Sequence, residues 1–593
     1  MTPKPSISPT RPPLAATQGR RPPRRLAWLA GPGLALLTLA AHAPAIPGQF
    51  LWDDNIFIWD NPVLAAGEAP WGYWTTARMP DYLPVTWTFF HVQRQLWGDR
   101  GGDESTLPYP ALPYRAVNVA LHAAAVVLLW RVLAALAVPG AWLGALLFAV
   151  HPMTVASTGW VAETKNTLSL VFCALALLAY LRFDATGRWR LYAAAVAVFA
   201  LALLTKTSTM VLPAVLAALL WWRRGPAKLA QGRPKSGRRA ATLAGLALLS
   251  VAASLVTMWV HQHVTIGAAR AGLGAPEGAV QRLATAANAL WFYAAKALVP
   301  VNLMMLYPKW DPAELDWTAL AAPALLAWPA VLIFCRRQAW ARPAALATAC
   351  FAAALAPVLG LVDMSFMQFS FVSDHLAYLA LPAAAATAGA ATAALMRRGR
   401  RWRAAAPAAA AALVVLLSAM TAGRAHTFAS PQRLWADTVQ RNPRAWYGQY
   451  LLGWTLLKGQ YGDSDSRLNA YRQAVDRFSA SLALQPAYPD GRTSLGAAYG
   501  YLGAEHAERG EHEQALACYA EALRHWPDGA DVRCLLGSSL LELGRPAEAL
   551  EQWQRAMVAA RAEGRPEKAA EIQSLIEYHG RGRTDEVPRQ RRP

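Results

Sequence analysis

Between Ala116 and Leu181 the chain carries only three formal charges, Arg131, Glu163 and Lys165. A run that long and that apolar holds three segments of the length a bilayer crossing needs, roughly 20 residues each. The composition of the whole agrees. Of 593 residues 16% are charged, against about 25% in an ordinary soluble domain. Mean hydropathy is +0.19 even though the last third looks soluble. These values exclude a disordered chain, a collagen-like chain and a purely soluble enzyme. The expected fold is all-α: a polytopic membrane domain followed by a soluble C-terminal part.

The net charge of +20 follows from topology. Short basic flanks bracket the apolar segments: Arg20 to Arg25, Arg182–Arg190, Arg223–Arg239, Arg336 to Arg342, and Arg397–Arg403. Cytoplasmic loops retain Lys and Arg. With all of these flanks inside, the crossings run over about 26–45, 116–137, 141–158, 167–182, 190–205, 208–222, 241–260, 318–335, 343–361, 376–396 and 404–422. That makes about eleven transmembrane helices. The segment 283–299 must then re-enter or stop short, because a full crossing would put Arg336 and Arg337 outside. Residues 1–25 are a Pro-rich basic leader, expected to be disordered and cytoplasmic, and its length argues against a cleaved signal peptide. Residues 1–420 hold sixteen Asp and Glu, and all but Asp184 fall on the outer side. The basic clusters are flanks of apolar helices rather than a face with interleaved aromatics, so nucleic acid is not an expected partner. None of the five cysteines forms a CxxC pair or has zinc-ligand spacing, so no protein-borne metal site or cofactor is expected. A divalent metal requirement is left open. The Ala- and Arg-rich usage suggests a bacterial inner membrane protein.

From about residue 434 the pattern changes. Ala515, Tyr519 and Ala522 recur as Ala549, Trp553 and Ala556, and Gly510 recurs as Gly544, all 34 residues later. That period with small and aromatic residues is the tetratricopeptide signature. One unit earlier, Ala474, Phe478, Ser481 and Pro486 match Ala515, Tyr519, Ala522 and Pro527 at a shift of 41, and the extra seven residues amount to two turns lengthening the helix around 492–509. Leu452-Gly453, Leu495-Gly496 and Leu536-Gly537 mark the first helix of each unit. Three repeats and a closing helix near 567–579 make an α-solenoid over 434–580, with a disordered tail at 581–593. Such stacks form concave grooves for an extended peptide or a partner helix. A plain cap on the membrane domain is the alternative.

Four polar clusters fall on the outer side. In the first outer loop, 46–115, Trp52-Asp53-Asp54-Asn55 presents paired carboxyls at a membrane boundary. Their mutual repulsion can raise one pKa and leave the other ionised, although a helix cap with a solvated acid explains them equally. His151-Pro152 ends the third crossing, and Trp160, Glu163, Lys165 and Asn166 follow. Glu163 and Lys165 read either as a surface pair or as an acid beside an anion-binding cation. Thr205-Lys206-Thr207 ends the fifth crossing, where a lysine often snorkels. Ser373-Asp374-His375 enters the tenth, where Ser373 or Asp374 could simply cap a helix. Together they put acids, histidines and two lysines in one plane, and ionisable residues at a membrane boundary are functional candidates.

Several strings at these positions carry a resemblance. They are Phe50-Leu51-Trp52-Asp53-Asp54-Asn55 with Asn61-Pro62, Pro84-Val85-Thr86-Trp87-Thr88, Asn118-Val119 with Leu121-His122, and Leu147-Phe148-Ala149-Val150-His151-Pro152. Further along come Trp160-Val161-Ala162-Glu163-Thr164-Lys165-Asn166, Pro300-Val301-Asn302-Leu303 with Tyr307-Pro308, and Ser373-Asp374-His375 with Tyr378-Leu379. In this order, with repeats after them, the chain resembles the transmembrane and tetratricopeptide-repeat-containing glycosyltransferases of the membrane-embedded GT-C class. The resemblance implies a GT-C-like catalytic domain over 26–422. It implies inverting transfer of a sugar, typically mannose or another hexose, from a polyprenyl-phosphate carrier to Ser or Thr hydroxyls of exported protein, on the non-cytoplasmic face. It implies Asp54 or Asp53 as the base, Lys165, Lys206 and His375 on the donor phosphate, and Trp52, His151, Trp160, Glu163, Tyr307 and Asp374 around the substrates. No resident cofactor is implied; the repeats would hold the acceptor. Two positions depart from the family: His375 stands where relatives carry Arg, and Leu83 where a basic residue precedes the Pro, so Lys165 and Lys206 carry more of the phosphate binding. Asp54 is favoured over Asp53 because in an extended loop alternate side chains share a face, which sets Trp52 beside Asp54. A glycan or lipid acceptor, a non-catalytic scaffold and a transporter are the competing readings.

Overall fold

The computed structural model describes residues 29–97, 111–229, 235–265, 278–310, 327–338 and 340–580. The expected disordered segments 1–25 and 581–593 lie outside the described residues, as do part of the first outer loop and the start of the expected crossing at 318–335. Among the described residues every regular element is a helix. In chain order the principal helices are α1 Ala30–His42, α2 Asp54–Ile58, α3 Pro84–Trp97, α4 Ala111–Ala135, α5 Ala141–Ala149, α6 Thr164–Thr186 and α7 Trp189–Thr205. After them come α8 Leu212–Leu229, α9 Lys235–Val260, α10 Ala279–Leu298, α11 Ala341–Leu355, α12 Leu381–Met396 and α13 Arg400–Thr427.

Five of these, α4, α6, α9, α11 and α13, taken with their flanking turns, are long and apolar enough to cross a membrane. A sixth span arises if α5 and the segment Pro152–Thr158, bent by 52°, are one crossing. Pro152 has no amide hydrogen to continue the helix, which explains the bend there. Trp189–Thr205, Thr207–Arg223 and Leu381–Met396 are apolar but shorter. The helix over the segment expected to stop short, α10, is not among the candidate spans.

α6 and α7 run antiparallel, and their ends carry opposite chemistry. At one end Asp184 takes a two-pronged contact from Arg239, at 2.5 and 2.7 Å, and Arg342 donates to the carbonyls of Trp221 and Trp222 at 2.7 and 3.2 Å. Three of the basic flanks therefore meet there. The other end gathers the remaining loops. Thr86 donates to the Thr205 carbonyl at 2.8 Å, Asn166 to that of His375 at 3.0 Å, Arg424 to that of Leu303 at 2.8 Å and Asn442 to that of Leu306 at 3.1 Å.

The C-terminal solenoid begins with α14, Pro431–Arg441, and continues as the pairs α15 Trp446–Leu457 with α16 Ser464–Leu484, α17 Pro489–Glu508 with α18 His512–His525, and α19 Ala530–Glu542 with α20 Pro546–Ala562, closed by α21 Pro566–Gly580. As the 41-residue shift requires, α17 has 20 residues where α19 has 13. Its antiparallel neighbour α16 is lengthened too, to 21 residues against 14 in α18. The extra turns pair: Glu505 near the end of α17 accepts from Arg467 at 2.7 Å and from Ser464 at the start of α16.

The repeat marker in the second unit needs correcting. A Cβ on Gly453 would stand 2.9 Å from the Phe478 ring and one on Gly537 2.5 Å from Trp553; the same contact with Tyr519, at 2.6 Å, falls to Gly503. Leu502-Gly503, not Leu495-Gly496, is thus the 34-residue equivalent of Leu536-Gly537, because the aromatic of each second helix needs a bare backbone opposite it. Gly503→Ala should destabilise the repeats by about 1–3 kcal/mol through overpacking. Gly462→Ala, where nothing lies within 4 Å, should be near neutral. Thermal unfolding of the full chain followed by helical circular dichroism checks this, and equal midpoints for the two variants would overturn it.

Candidate functional site

The first outer loop and the helix ends of α6, α7 and α13 converge at the end of the bundle away from Asp184 and Arg239. Asp54 opens α2 and is fully buried. Its Oδ2 accepts the Leu51 amide at 2.7 Å and its Oδ1 the Ala162 amide at 2.6 Å. Burial raises its pKa to about 7, opposed by the Leu51 amide and helped by the neighbouring Asp53 charge. Asp54 therefore closes its own turn with one oxygen and ties the loop to the segment that enters α6 with the other. Asp53 differs. Its Oδ1 is buried without a well-formed hydrogen bond, and so is the Trp160 indole nitrogen, but the indole N–H is close enough to favour the charged carboxylate. Burial raises the Asp53 pKa to about 6, with Lys165 pulling it down and Glu163 pushing it up.

The expectation that Trp52 and Asp54 share a face does not hold. Trp52 has φ of 41° and Asp54 begins a helix, so the segment turns rather than extends. Trp52 stacks on Trp160 with ring centroids 5.2 Å apart and planes 3° from parallel. It also meets Trp435 and Phe369 edge-on, each at 5.5 Å. Phe369 in turn stacks on Tyr447 of α15 at 4.2 Å. An aromatic array thus runs from the acids into the first repeat.

Glu163, 2% exposed, lies between two lysines: Lys165 Nζ is 2.9 Å from Oε1 and Lys206 Nζ 3.3 Å from Oε2. Asn166 fixes the group, donating to Glu163 Oε2 and accepting from Lys206 Nζ, both at 2.6 Å. Lys165 also sits 4.8 Å from the centre of the Phe57 ring. The sequence paired Glu163 with Lys165 and named Lys206 apart; the structure makes the three one cluster.

The remaining predicted residues are engaged with the protein itself. His375 shares a hydrogen bond with Ser373 Oγ at 2.8 Å and packs edge-on against Trp160 and Phe366. Burial lowers its pKa to about 3, so the ring is neutral and supplies no charge to an anion. Asp374 receives the Tyr307 hydroxyl at 2.7 Å on one oxygen and Arg424 at 3.0 Å on the other. His151 contacts the Ala297 carbonyl at 3.2 Å through Nε2 and accepts the Met153 amide at 3.4 Å through Nδ1.

Two residues escaped the sequence reading. Arg424, 9% exposed, is an arginine in the last turn of an apolar helix, and the rule for boundary ionisable groups would have flagged it. Asp81 had no local signal; it lies 3.5 Å from His261 Nδ1 and within electrostatic reach of Lys165 and Lys206. Among the described residues no three His, Cys, Asp and Glu side chains are grouped to hold a metal ion.

Comparison with known proteins reaches the C-terminal part. A crystal structure of MamA is 16% identical and covers 26% of this chain and 88% of its own, with a TM-score of 0.17. A second MamA crystal structure is 18% identical over 26% of this chain and 87% of its own, with a TM-score of 0.14. No curated protein matches the chain. The family model described as tetratricopeptide repeat matches residues 502–571, so the C-terminal solenoid carries tetratricopeptide repeats.

Proposed function

We propose that this chain is a membrane glycosyltransferase that moves a hexose, mannose in the first instance, from a polyprenyl-phosphate carrier to Ser or Thr hydroxyls of exported protein, with inversion. The observation that carries the reading is the buried, loosely held oxygen of Asp53 beside the Lys165–Glu163–Lys206 cluster. A carboxylate held only by the loosely placed Trp160 indole N–H, in a site lined with cations, is what general-base chemistry beside a phosphate leaving group needs. Asp53, rather than Asp54, is then the base, because both Asp54 oxygens are taken by backbone amides. The acceptor oxygen attacks the anomeric carbon opposite the phosphate, Asp53 takes its proton, and the carbon–oxygen bond to phosphate breaks with its electron pair going to the phosphate. Lys165 and Lys206 stabilise that charge. Trp52 and Trp160 offer aromatic faces to the sugar, while Asp374, Tyr307 and His151 hold the surrounding loops. His375 contributes a hydrogen bond at most.

In this reading the chain crosses a bacterial inner membrane eleven times, with site and repeats on the periplasmic side and the acceptor held by the repeats. A glycan or lipid acceptor gives the repeats no task, and a scaffold gives the Asp53 oxygen none. The test is transfer by purified protein in lipid nanodiscs, from mannosyl and glucosyl polyprenyl phosphates to Ser- and Thr-bearing segments of exported proteins, read by mass spectrometry. No product from either donor overturns the reading. The base works only when deprotonated, so kcat/KM should rise with pH to a plateau through an acid limb near pH 6, following the raised Asp53 pKa. A limb near pH 4, where a solvated aspartate titrates, would remove Asp53 from the role.

A further inference from the structure

An apolar cleft of about 220 Å³ opens between α7 and α9, walled by Ala200, Leu203, Leu204, Leu249, Ala253 and Val256. Its lining turns polar at Tyr82, Thr207 and Thr257, and the two threonine hydroxyls are bonded at 2.8 Å. Tyr82 follows Asp81 and Thr207 follows Lys206, so the polar part of the cleft adjoins the cation cluster. The cleft thus joins an aliphatic trough on two apolar helices to a pair of ammonium groups, which is the shape of a long-chain lipid phosphate.

The charges at that junction are not ready for a phosphate. Two ammonium groups, Lys165 and Lys206, stand among three carboxyls, Glu163, Asp53 and Asp81. An added anion meets like charges a few ångströms away, a repulsion of order kcal/mol even in polar surroundings. Glu163 is buried and held by Asn166, and Asp53 is enclosed against Trp160. Asp81 is different: its side chain is 40% exposed and, among the described residues, pairs with the His261 ring at 3.5 Å. It is the one carboxyl of the three with solvent to turn into.

We propose that the α7–α9 cleft takes the isoprenoid chain of the donor, and that Asp81, latched to His261, occupies the field of the lysine pair until the donor's phosphate displaces it. This rests on the polyprenyl-phosphate reading. It makes Asp81 a positioning residue that shields the lysines in the empty site and helps expel the phosphate product.

The test is binding of undecaprenyl phosphate and, in parallel, inorganic phosphate to the full chain in nanodiscs. Ala253→Trp and Val256→Phe fill the cleft from α9. Each should weaken the lipid phosphate at least about 10-fold, the order expected for losing several buried methylenes, and leave inorganic phosphate unchanged. Asp81→Asn should tighten both ligands by about 10-fold, as expected for removing one nearby like charge, with the gain shrinking as salt rises. Wild-type lipid affinity in both cleft variants, or equal weakening of both ligands, overturns the cleft. Unchanged or weaker phosphate binding in Asp81→Asn overturns the displacement. If wild type binds neither ligand, the polyprenyl-phosphate reading itself fails and this inference with it. If wild type binds both and the variants do not respond, only this inference fails.

Discussion

Asp53→Asn should lower sugar transfer at least about 10²-fold, the low end for losing a general base, while donor binding and thermal stability stay near wild type. The amide keeps the shape and removes the basicity, and the oxygen it alters has no well-formed hydrogen bond to lose, only the loose contact with the Trp160 indole N–H. Asp54→Asn should behave in the opposite way. Both Asp54 oxygens accept backbone amides, so an amide nitrogen must face one of two donors. That leaves a buried N–H unsatisfied, at about 1–3 kcal/mol, and loosens the contact between the outer loop and α6. Asp54→Asn should therefore lose stability first, and lose activity by the misplacement of Asp53. Thermal unfolding and single-turnover transfer on the same preparations separate the two. If Asp53→Asn transfers at the wild-type rate, the first-loop acids are not the base; if Asp54→Asn shows the larger loss in turnover with unchanged stability, the roles are reversed.

How far the sequence alone reached can be seen at the same acids. That a carboxyl pair sits with the lysines at one end of the helical bundle was legible from charge segregation and the apolar runs. Which of the two is held by the backbone was not, because it depends on the positive φ of Trp52 and on the Ala162 amide, which lies 108 residues away in the chain. The cation cluster has the same history. Lys165 and Lys206 were visible as boundary lysines, but their joining through Glu163 follows from the antiparallel packing of α6 and α7. The repeats were more legible because their contacts are local and periodic: the two added turns of α17 followed from the 41-residue shift. The matching extension of α16 did not, since it lies before Ala474 in a stretch with no repeat marker. Five described helices, or six with the bent pair, reach spanning length and apolarity; the charge pattern that counts eleven acts on loops and leaves no mark on helix length.

Glu163→Gln should destabilise the apolar helical bundle, by about 3–5 kcal/mol, the usual cost of breaking a buried ion pair by removing one partner. Glu163 is the common partner of two lysines whose side chains are only 13% and 15% exposed. With glutamine in its place both ammonium groups stay in a poorly solvated site facing each other, and the Asn166 amide loses its carboxylate acceptor. Removing one cation as well relieves part of this, so Glu163→Gln with Lys206→Met should melt above Glu163→Gln alone, and a double-mutant cycle should return a coupling of about 0.5–3 kcal/mol. The rescue should be structural only: the double variant regains its melting midpoint but not its affinity for inorganic phosphate, because one of the two proposed phosphate contacts is gone. A Glu163→Gln protein that melts with wild type would mean that water or lipid headgroups already solvate the lysines. The cluster would then be a set of snorkelling surface charges, and the proposed function would lose the buried field that stabilises its leaving group.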